Sequence, residues 1–201
     1  MAAVTRKCAK CGLESEVHPQ QVINVGAEPE LKAKVLSGEL FLWTCPGCGF
    51  TNLLSHPTVY HDPAQKILVW LAEDDFAARK AEAVFDASEE LHGYCSRIVG
   101  TVGELIEKVK ILDAGLDDCA VEMCKYITGM ELGKDVDLKF LRMEGAESDI
   151  ILTYPEKGQM QMLKLGFNVY EDCVGIITRN PAVKPEGLKK VDKNYIKTYF
   201  K

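Results

Sequence analysis

Two short pairs of cysteines lie near the start of the chain, and each pair has two residues between its sulfurs. The four cysteines, and the glycine that directly follows each pair, are Cys8, Cys11 and Gly12, then Cys45, Cys48 and Gly49. This spacing lets one backbone turn aim two thiolates at one ion, and glycine allows the positive φ that such a turn requires. Two such turns predict a closed site of four thiolates, a donor set that zinc favours.

A closed site of this kind has a structural role rather than a catalytic one. Catalytic zinc normally keeps one coordination position open for water, and four thiolates leave none. We therefore expect a structural Zn²⁺ that closes the loop from Gly12 to Thr44. His56 and His61 lie near the second pair and could replace a thiolate, but we interpret them as ordinary strand and turn residues.

Paired cysteines have two other uses, and both stay open as alternatives. A redox dithiol exchanges disulfides, but it needs one pair at the start of a helix rather than two pairs on turns. An iron site of rubredoxin type uses similar turns, including the Cys-Pro-x-Cys-Gly form that begins at Cys45. The segment around these cysteines lacks the dense aromatic core of that fold, which favours zinc.

Composition limits the class of protein. The chain has 201 residues, of which 47% are hydrophobic, and a net charge of −6. A packed core is expected, and the acidic balance argues against non-specific coating of nucleic acid. No apolar run resembles a signal peptide or approaches the roughly 18 residues of a membrane span. We expect a cytoplasmic protein that does not enter a membrane.

The elements that must position the cysteines predict an α+β fold. Residues 4–75 are predicted to form a zinc-ribbon-like β domain with a helical insertion at residues 30–40, directly after Pro29. The run 66–72 is apolar on both faces, which is typical of a central strand.

The C-terminal region, residues 76–201, is predicted to begin with helices, over about 74–130, and to continue with antiparallel strands over about 135–180. Two of those helices form a central helical hairpin because their connection is short. Thr101 and Glu104 predict a capping box at a helix start. The predicted strands include Phe167–Tyr170 and Val174–Arg179. A basic tail at 184–201 ends the chain.

The remaining candidates for chemistry are isolated residues. The four other cysteines are Cys95, Cys119, Cys124 and Cys173. We interpret them as buried small apolar residues, unless the fold brings them together as a second metal site. His92 lies close to Cys95 in sequence and could activate it as a nucleophile, but no other catalytic motif supports this assignment. The sequence therefore leaves the existence of an enzymatic activity uncertain and leans against it.

The first segment, over about residues 6–75, resembles the CpXC family, prokaryotic proteins with paired Cys-x-x-Cys motifs. The stretches that carry the resemblance are Ile23–Val25, Pro29–Lys32, Gly38–Phe41, Thr44–Gly49, Tyr60–Asp62 and Ile67–Leu71. The later runs Arg97–Val99, Glu104–Lys108 and Asp113–Asp118 look like the region that often follows this domain. The sequence departs from the Cys-Pro-x-Cys form of this family at its first turn, where Ala9 follows Cys8 in place of proline. The resemblance implies the metal site and carries over no biochemical activity.

Three functional hypotheses follow. The first is a non-enzymatic, zinc-binding protein-interaction module that binds another protein or associates with itself. The second is a zinc-ribbon nucleic-acid-binding protein that uses the metal turns and the lysines of the tail, among them Lys189, Lys190 and Lys193. The third is an enzyme whose site lies outside the zinc cluster, between the helices and the C-terminal strands.

Overall fold

The computed structural model describes residues 3–200, and within them it has the mixed α+β class that the sequence predicts. The contacts divide the chain into two compact units, the first ending at Ile106 and the second beginning at Glu107. No helix in the described range is both long enough and apolar enough to cross a membrane.

The first unit is mostly β-structure. Its strands are β1 (Val4–Lys7), β2 (Glu14–Val17), β3 (Val22–Asn24), β4 (Leu42–Thr44), β5 (Thr51–Leu53), β6 (Thr58–Asp62), β7 (Ile67–Leu71) and β8 (Cys95–Val99). Its helices are α1 (Glu30–Ser37), α2 (Asp75–Asp86) and the first residues of α3 (Val102–Asp113). Two separate hairpins, β1–β2 and β4–β5, accompany a four-stranded sheet of order β3-β6-β7-β8.

Strand β7 is the central, two-faced apolar strand that its sequence predicts. It pairs antiparallel with β6 and parallel with β8, and Leu68 and Val69, which point to opposite faces, are both buried. The contacts divide the chain after Ile106, whereas the predicted domain boundary at residue 75 stays a prediction. Strand β8, which lies beyond residue 75, pairs with β7 in the same sheet.

Helix α1 begins directly after Pro29, as predicted, and buries Leu31 and Val35. It ends before the predicted residue 40, because Gly38 takes the left-handed conformation, with φ of 80°, that terminates a helix. It also carries the half-buried Lys32, whose Nζ lies 2.9 Å from Oδ2 of Asp62 on β6.

The pair between Lys32 and Asp62 predicts a dependence of stability on pH. Burial acts to raise the pKa of the Asp62 carboxyl, but the hydrogen bonds from Lys32 and from the backbone N–H of Gln65 outweigh it and lower that pKa. A lowered pKa in the folded state stabilises the protein at neutral pH, and this contribution is lost as the pH falls through that value. We expect Lys32→Met to cost about 1–3 kcal/mol at pH 7.

The same substitution should cost little once Asp62 is protonated. Thermal unfolding of the wild type and the Lys32→Met variant, followed between pH 7 and pH 3, measures the difference directly. If Lys32→Met lowered the stability by the same amount at every pH, Lys32 would act through packing and not through the charge of Asp62.

The second unit combines helices with a three-stranded sheet. Beyond the last residues of α3, its elements are α4 (Asp118–Glu131), β9 (Lys139–Glu144), β10 (Asp149–Glu156), β11 (Gln159–Leu165), α5 (Phe167–Arg179) and α6 (Lys193–Lys197). The sheet has the order β11-β10-β9 with antiparallel pairing throughout. Ile150 and Leu152 of β10 are fully buried in the core of this unit.

The predicted strands Phe167–Tyr170 and Val174–Arg179 are wrong, because one helix, α5, covers both. Its buried residues are Tyr170, Cys173 and Ile177, which recur at helical spacing and form one stripe. The short apolar runs on either side of Cys173 also fit the alternation of a strand. Packing of the buried stripe against the core is what selects a helix over a strand here.

Five charged side chains are buried together in the second unit, and we call them the buried charge cluster: Glu107, Lys108, Asp118, Glu122 and Lys125. Lys125 Nζ lies 2.9 Å from Glu107 Oε1 and 2.7 Å from Glu122 Oε1. Lys108 Nζ lies 2.9 Å from Asp118 Oδ2 and 3.9 Å from Glu122 Oε1. These pairs join the end of α3 to α4, the two helices of the predicted hairpin.

Backbone groups complete the buried charge cluster. The N–H of Phe140 donates to Glu107 Oε1 at 2.6 Å, and Lys108 Nζ donates to the carbonyl of Val191 at 2.9 Å. Burial raises the pKa of Glu122 against the opposing effect of the two lysines. For Lys125, burial acts to lower the pKa, but the carboxylates of Glu122 and Glu107 raise it overall.

The basic tail packs onto the second unit over its described part, which ends at residue 200, while Lys201 of the predicted tail lies outside the described residues. Leu188, Val191 and Ile196 are buried. Lys193 forms an ion pair with Asp135, whose pKa this pair lowers. The tail is therefore anchored by apolar side chains between its lysines.

Candidate metal centre

The two cysteine pairs occupy equivalent places in two hairpins. Strand β1 ends at Lys7 and β2 begins at Glu14, so the first pair forms the turn between them. Strand β4 ends at Thr44 and β5 begins at Thr51, so the second pair forms the turn of the other hairpin. Each hairpin thereby presents two sulfurs at its tip.

The two turns have matching backbone geometry. In the first, the N–H of Gly12 donates to the carbonyl of Cys8 at 2.9 Å, and in the second Gly49 donates to Cys45 at 2.9 Å. Gly12 has φ of 75° and Gly49 has φ of 68°. Both glycines therefore occupy the left-handed region that the sequence analysis assigned to them.

The four sulfurs converge. All lie within 4.8 Å of one another, and all four cysteines are free of disulfides. The Sγ atoms of Cys8 and Cys48 are 3.7 Å apart, and those of Cys11 and Cys45 are 3.6 Å apart. A tetrahedral ion with bonds of about 2.3 Å to sulfur requires sulfur–sulfur distances of about 3.8 Å. The donor set therefore fits a tetrahedral metal ion, and the fit applies to zinc and iron alike.

One side of this centre is buried and the other faces solvent. Cys8 and Cys45 are buried in a small apolar cluster with Trp43 and Leu54. Cys48 is half-buried and Cys11 is exposed. The cluster has few apolar members, so burial alone contributes little to holding the two hairpins together.

Asn52 on β5, which is not among the predicted site residues, joins the two turns. Its side chain is buried and accepts a hydrogen bond from the N–H of Ala9 at 2.9 Å. Its amide group donates to the carbonyl of Phe50 at 3.0 Å and to Sγ of Cys8 at 3.6 Å. Spacing from the cysteines gave no signal for this residue, because its contact with the first turn crosses between hairpins.

The crowding of four thiols affects their ionisation. Burial acts to raise the pKa of Cys8, but the backbone N–H groups of Cys11 and Lys10 and the amide of Asn52 lower it to about 6. For Cys48, the backbone N–H of Phe50 lowers the pKa, but burial and the neighbouring thiols raise it to about 12. The thiolate of Cys8 therefore forms more readily than that of Cys48.

We expect Asn52→Ala to weaken metal binding by about 10–100-fold, because groups that hydrogen-bond to ligands fix their orientation. Competition with a chromophoric chelator measures this affinity. Asn180→Ala is the matched control, since Asn180 is an exposed asparagine that bonds only within the second unit. An Asn52→Ala affinity within twofold of the wild type would contradict this role.

The histidines near the second pair lie outside the group of sulfurs. Nε2 of His56 is 3.1 Å from the carbonyl of Gln20, and Nε2 of His61 is 3.2 Å from the hydroxyl of Tyr94. His92 packs its ring on Phe85, with the ring centroids 5.3 Å apart. The geometry gives none of the three histidines a place among the clustered donors.

The remaining cysteines divide between the two units. Cys95 is half-buried on β8, whereas Cys119, Cys124 and Cys173 are buried in the apolar core of the second unit. Cys119 also lies within 4.8 Å of carboxylate oxygens of Asp117 and Asp118. These donors have other roles, because Asp117 caps α4 and Asp118 pairs with Lys108.

Comparison with known proteins identifies the family. No curated protein and no solved structure matches this chain significantly. A family model described as "CpXC protein" matches residues 7–125, which is more than half of the chain. The matched region contains both cysteine turns and extends through the four-stranded sheet into α4. This chain therefore belongs to the CpXC family.

Proposed function

We propose that this protein is a structural-zinc protein that serves as a non-enzymatic protein-interaction module. The observation that carries the proposal is the convergence of four free thiols at distances that suit a tetrahedral ion. Four thiolates occupy every position of such an ion, so the metal would stabilise the fold and not act on a substrate. Two hairpins that each supply one cysteine pair also support a zinc-ribbon-like assignment for this part of the chain.

An exposed apolar surface on the same two hairpins supports the interaction role. We call it the hairpin patch, and it consists of Leu13, Leu42, Phe50 and Leu53. Leu42 and Leu53 are directly opposite each other on β4 and β5, with 49% and 62% of their surfaces exposed. Leu13 lies against the backbone of Gly47 in the second turn, so it connects the first hairpin to the tip of the second. Clustered apolar side chains that face water are typical of protein contacts.

The structure gives less support to the nucleic-acid alternative. That hypothesis used the tail as a basic, aromatic arm, and in the second unit the described tail is instead anchored by Leu188, Val191 and Ile196. Lys193 is engaged with Asp135 and Lys190 lies 3.8 Å from Asp192. Lys190 and Lys193 therefore have carboxylate neighbours that compete with phosphate.

The metal part of the proposal is tested on purified full-length protein. We expect one equivalent of zinc per chain and no visible absorption. One equivalent of iron per chain, with sulfur-to-iron absorption bands, would show that the bound metal is iron and not zinc. The absence of any bound metal after purification without chelators and reconstitution would overturn the metal site itself.

The interaction part is tested with a photo-crosslinking amino acid at position 53, the most exposed position of the hairpin patch. We expect a defined cross-linked protein, either a second copy of this chain or another protein. The same group at Met162, an exposed residue of β11 in the second unit, is the matched control. Sedimentation separates self-association from a different partner. A monomeric protein that cross-links no more at position 53 than at position 162 would refute the proposed contact surface.

A further inference from the structure

The four clustered cysteines differ in their access to solvent. Cys11 is exposed and Cys48 is half-buried, whereas Cys8 and Cys45 keep 2% and 1% of their surfaces exposed. Oxidation of a thiolate follows its exposure, because the oxidant has to reach the sulfur. A reagent in solution therefore meets Cys11 ahead of the other three.

A sulfur of the other hairpin lies directly behind Cys11. Sγ of Cys45 is 3.6 Å from Sγ of Cys11, and Cys45 belongs to the buried side of the centre. An oxygen atom added to Cys11 from solvent would therefore point away from Cys45. A thiolate displaces a leaving group from sulfur in line, so this arrangement suits attack by Cys45 and departure of the oxygen into water.

The other buried cysteine is a poorer nucleophile toward Cys11. Sγ of Cys8 accepts a hydrogen bond from Nδ2 of Asn52 at 3.6 Å, and the backbone N–H groups of Lys10 and Cys11 also bond to it. Hydrogen bonds of this kind hold the charge on the sulfur and make it less reactive. The geometry thus favours a disulfide between the two hairpins over one within the first turn.

We propose that Cys11 is an oxidation site, at which hydrogen peroxide converts the metal centre into a disulfide between Cys11 and Cys45. The thiolate of Cys11 attacks one peroxide oxygen, the O–O bond breaks and hydroxide leaves, which gives a sulfenic acid. The thiolate of Cys45 then attacks that sulfur, forms the S–S bond and displaces a second hydroxide. Two electrons pass in total from the two thiolates to the peroxide.

This inference rests on the structural metal ion of the proposed function and adds a mode of regulation to that site. The disulfide removes two of the four ligands and leaves Cys8 and Cys48, so the ion is released. The new bond joins the same two hairpins that the ion joins. Oxidation therefore exchanges a metal link between β1–β2 and β4–β5 for a covalent one.

Treatment of the metal-loaded, full-length protein with hydrogen peroxide tests the proposal. A chromophoric chelator follows the released metal, and we expect about one ion per chain. The metal content before peroxide is added separates the two proposals. A protein that carries no metal overturns the proposed function and this inference with it, whereas a loaded protein that keeps its metal in excess peroxide overturns this inference alone.

Mass spectrometry of tryptic peptides identifies the disulfide. Trypsin cleaves after Lys10, so Cys8 and Cys11 fall in different peptides, and the second cysteine pair shares the peptide of residues 35–66. We expect the peptide of residues 11–32 to become linked to residues 35–66 at the rate of metal release. Fragmentation between Cys45 and Pro46 then shows which cysteine of the second pair is bonded. A link between Cys8 and Cys11, or metal release without a link at Cys11, would overturn the proposal.

Two variants assign the reaction to Cys11. Cys11→His replaces the exposed thiol with an imidazole, which zinc accepts in sites of three cysteines and one histidine. The loaded variant should release its metal at least tenfold more slowly in peroxide. Cys95→Ser, at a half-buried cysteine outside the cluster, should release metal at the rate of the wild type. Equal rates for the wild type and Cys11→His would refute the assignment.

Alkylation of the loaded wild type gives a measurement that does not depend on a variant that binds metal. With a limiting amount of iodoacetamide, we expect Cys11 to be modified first among the four clustered cysteines. Modification of Cys8, Cys45 or Cys48 ahead of Cys11 would contradict the proposed order of access.

Discussion

Removal of the metal is expected to unfold the two cysteine hairpins, β1–β2 and β4–β5, while the core of the second unit keeps its structure. Two-stranded sheets are marginal on their own. Over residues 3–200, the apolar cluster between these hairpins has four buried members, Cys8, Trp43, Cys45 and Leu54. Binding of zinc contributes about 10–16 kcal/mol to the folding of small zinc peptides. Even a fraction of this binding free energy would be enough to decide whether the two hairpins are folded.

Hydrogen exchange followed by mass spectrometry, with and without a strong zinc chelator, resolves this effect by segment. We expect protection to fall over residues 4–17 and 42–53 and to persist over β10, in the core of the second unit. Cys45→Ser should reproduce the effect of the chelator, whereas Cys95→Ser, at a half-buried cysteine outside the cluster, should not. If both hairpins kept their protection after chelation, a metal ion at the four cysteines would not be what keeps them folded.

Replacement of Lys125 by methionine is expected to destabilise the second unit by about 3–5 kcal/mol. Lys125 is the shared partner of Glu107 and Glu122, and all three are buried. The substitution keeps most of the side-chain volume but removes the nearest cation of two buried carboxylates. The lysines that remain are farther away, Lys139 at 3.6 Å from Glu107 and Lys108 at 3.9 Å from Glu122. Chemical denaturation, monitored by circular dichroism, measures the loss.

A matched control separates burial from charge. Lys134 also pairs with a glutamate, Glu156, but it is about half exposed, so Lys134→Met should cost no more than about 1 kcal/mol. Similar costs for Lys125→Met and Lys134→Met would contradict the importance of burial.

The cluster also predicts a pH effect of definite sign. The pKa of Glu122 is raised in the folded state, so its stabilising contribution is complete at low pH and is lost as the pH rises through that raised value. Glu122→Gln removes the titrating group and should flatten the pH dependence of stability above the usual range of glutamate.

Features that depend on residues close together in the sequence could be predicted without the structure. The capping box is an example, because Thr101 Oγ1 accepts from the N–H of Glu104 at 3.1 Å, and Glu104 accepts from the N–H of Gly100 at 2.7 Å. The convergence of the two cysteine turns could also be predicted, because four thiolates that share an ion must meet. The sequence could not choose the metal, and the sulfur positions alone do not choose it either.

Features that depend on tertiary contacts could not be predicted from the sequence. Helix α5 was predicted as strands because its apolar runs are short and fit either period. The buried charge cluster gave no signal, because lysine and glutamate in a helix are normally solvated, and their burial depends on what packs over them. Asn52 lies between two turns of known spacing, but its bond to Ala9 joins residues that are far apart in the chain.

The placement of β3 has a consequence for the rate of folding. Strand β3 belongs to the segment between Cys11 and Cys45, yet it pairs in parallel with β6, which follows both turns. Val22 and Val59 must therefore find each other across a long stretch of chain, and an ion that already joins the two turns shortens the effective separation between them. Loop-closure entropy gives roughly a twofold faster encounter in the metal-bound chain. The ion would then assist the assembly of a sheet that none of its ligands belongs to.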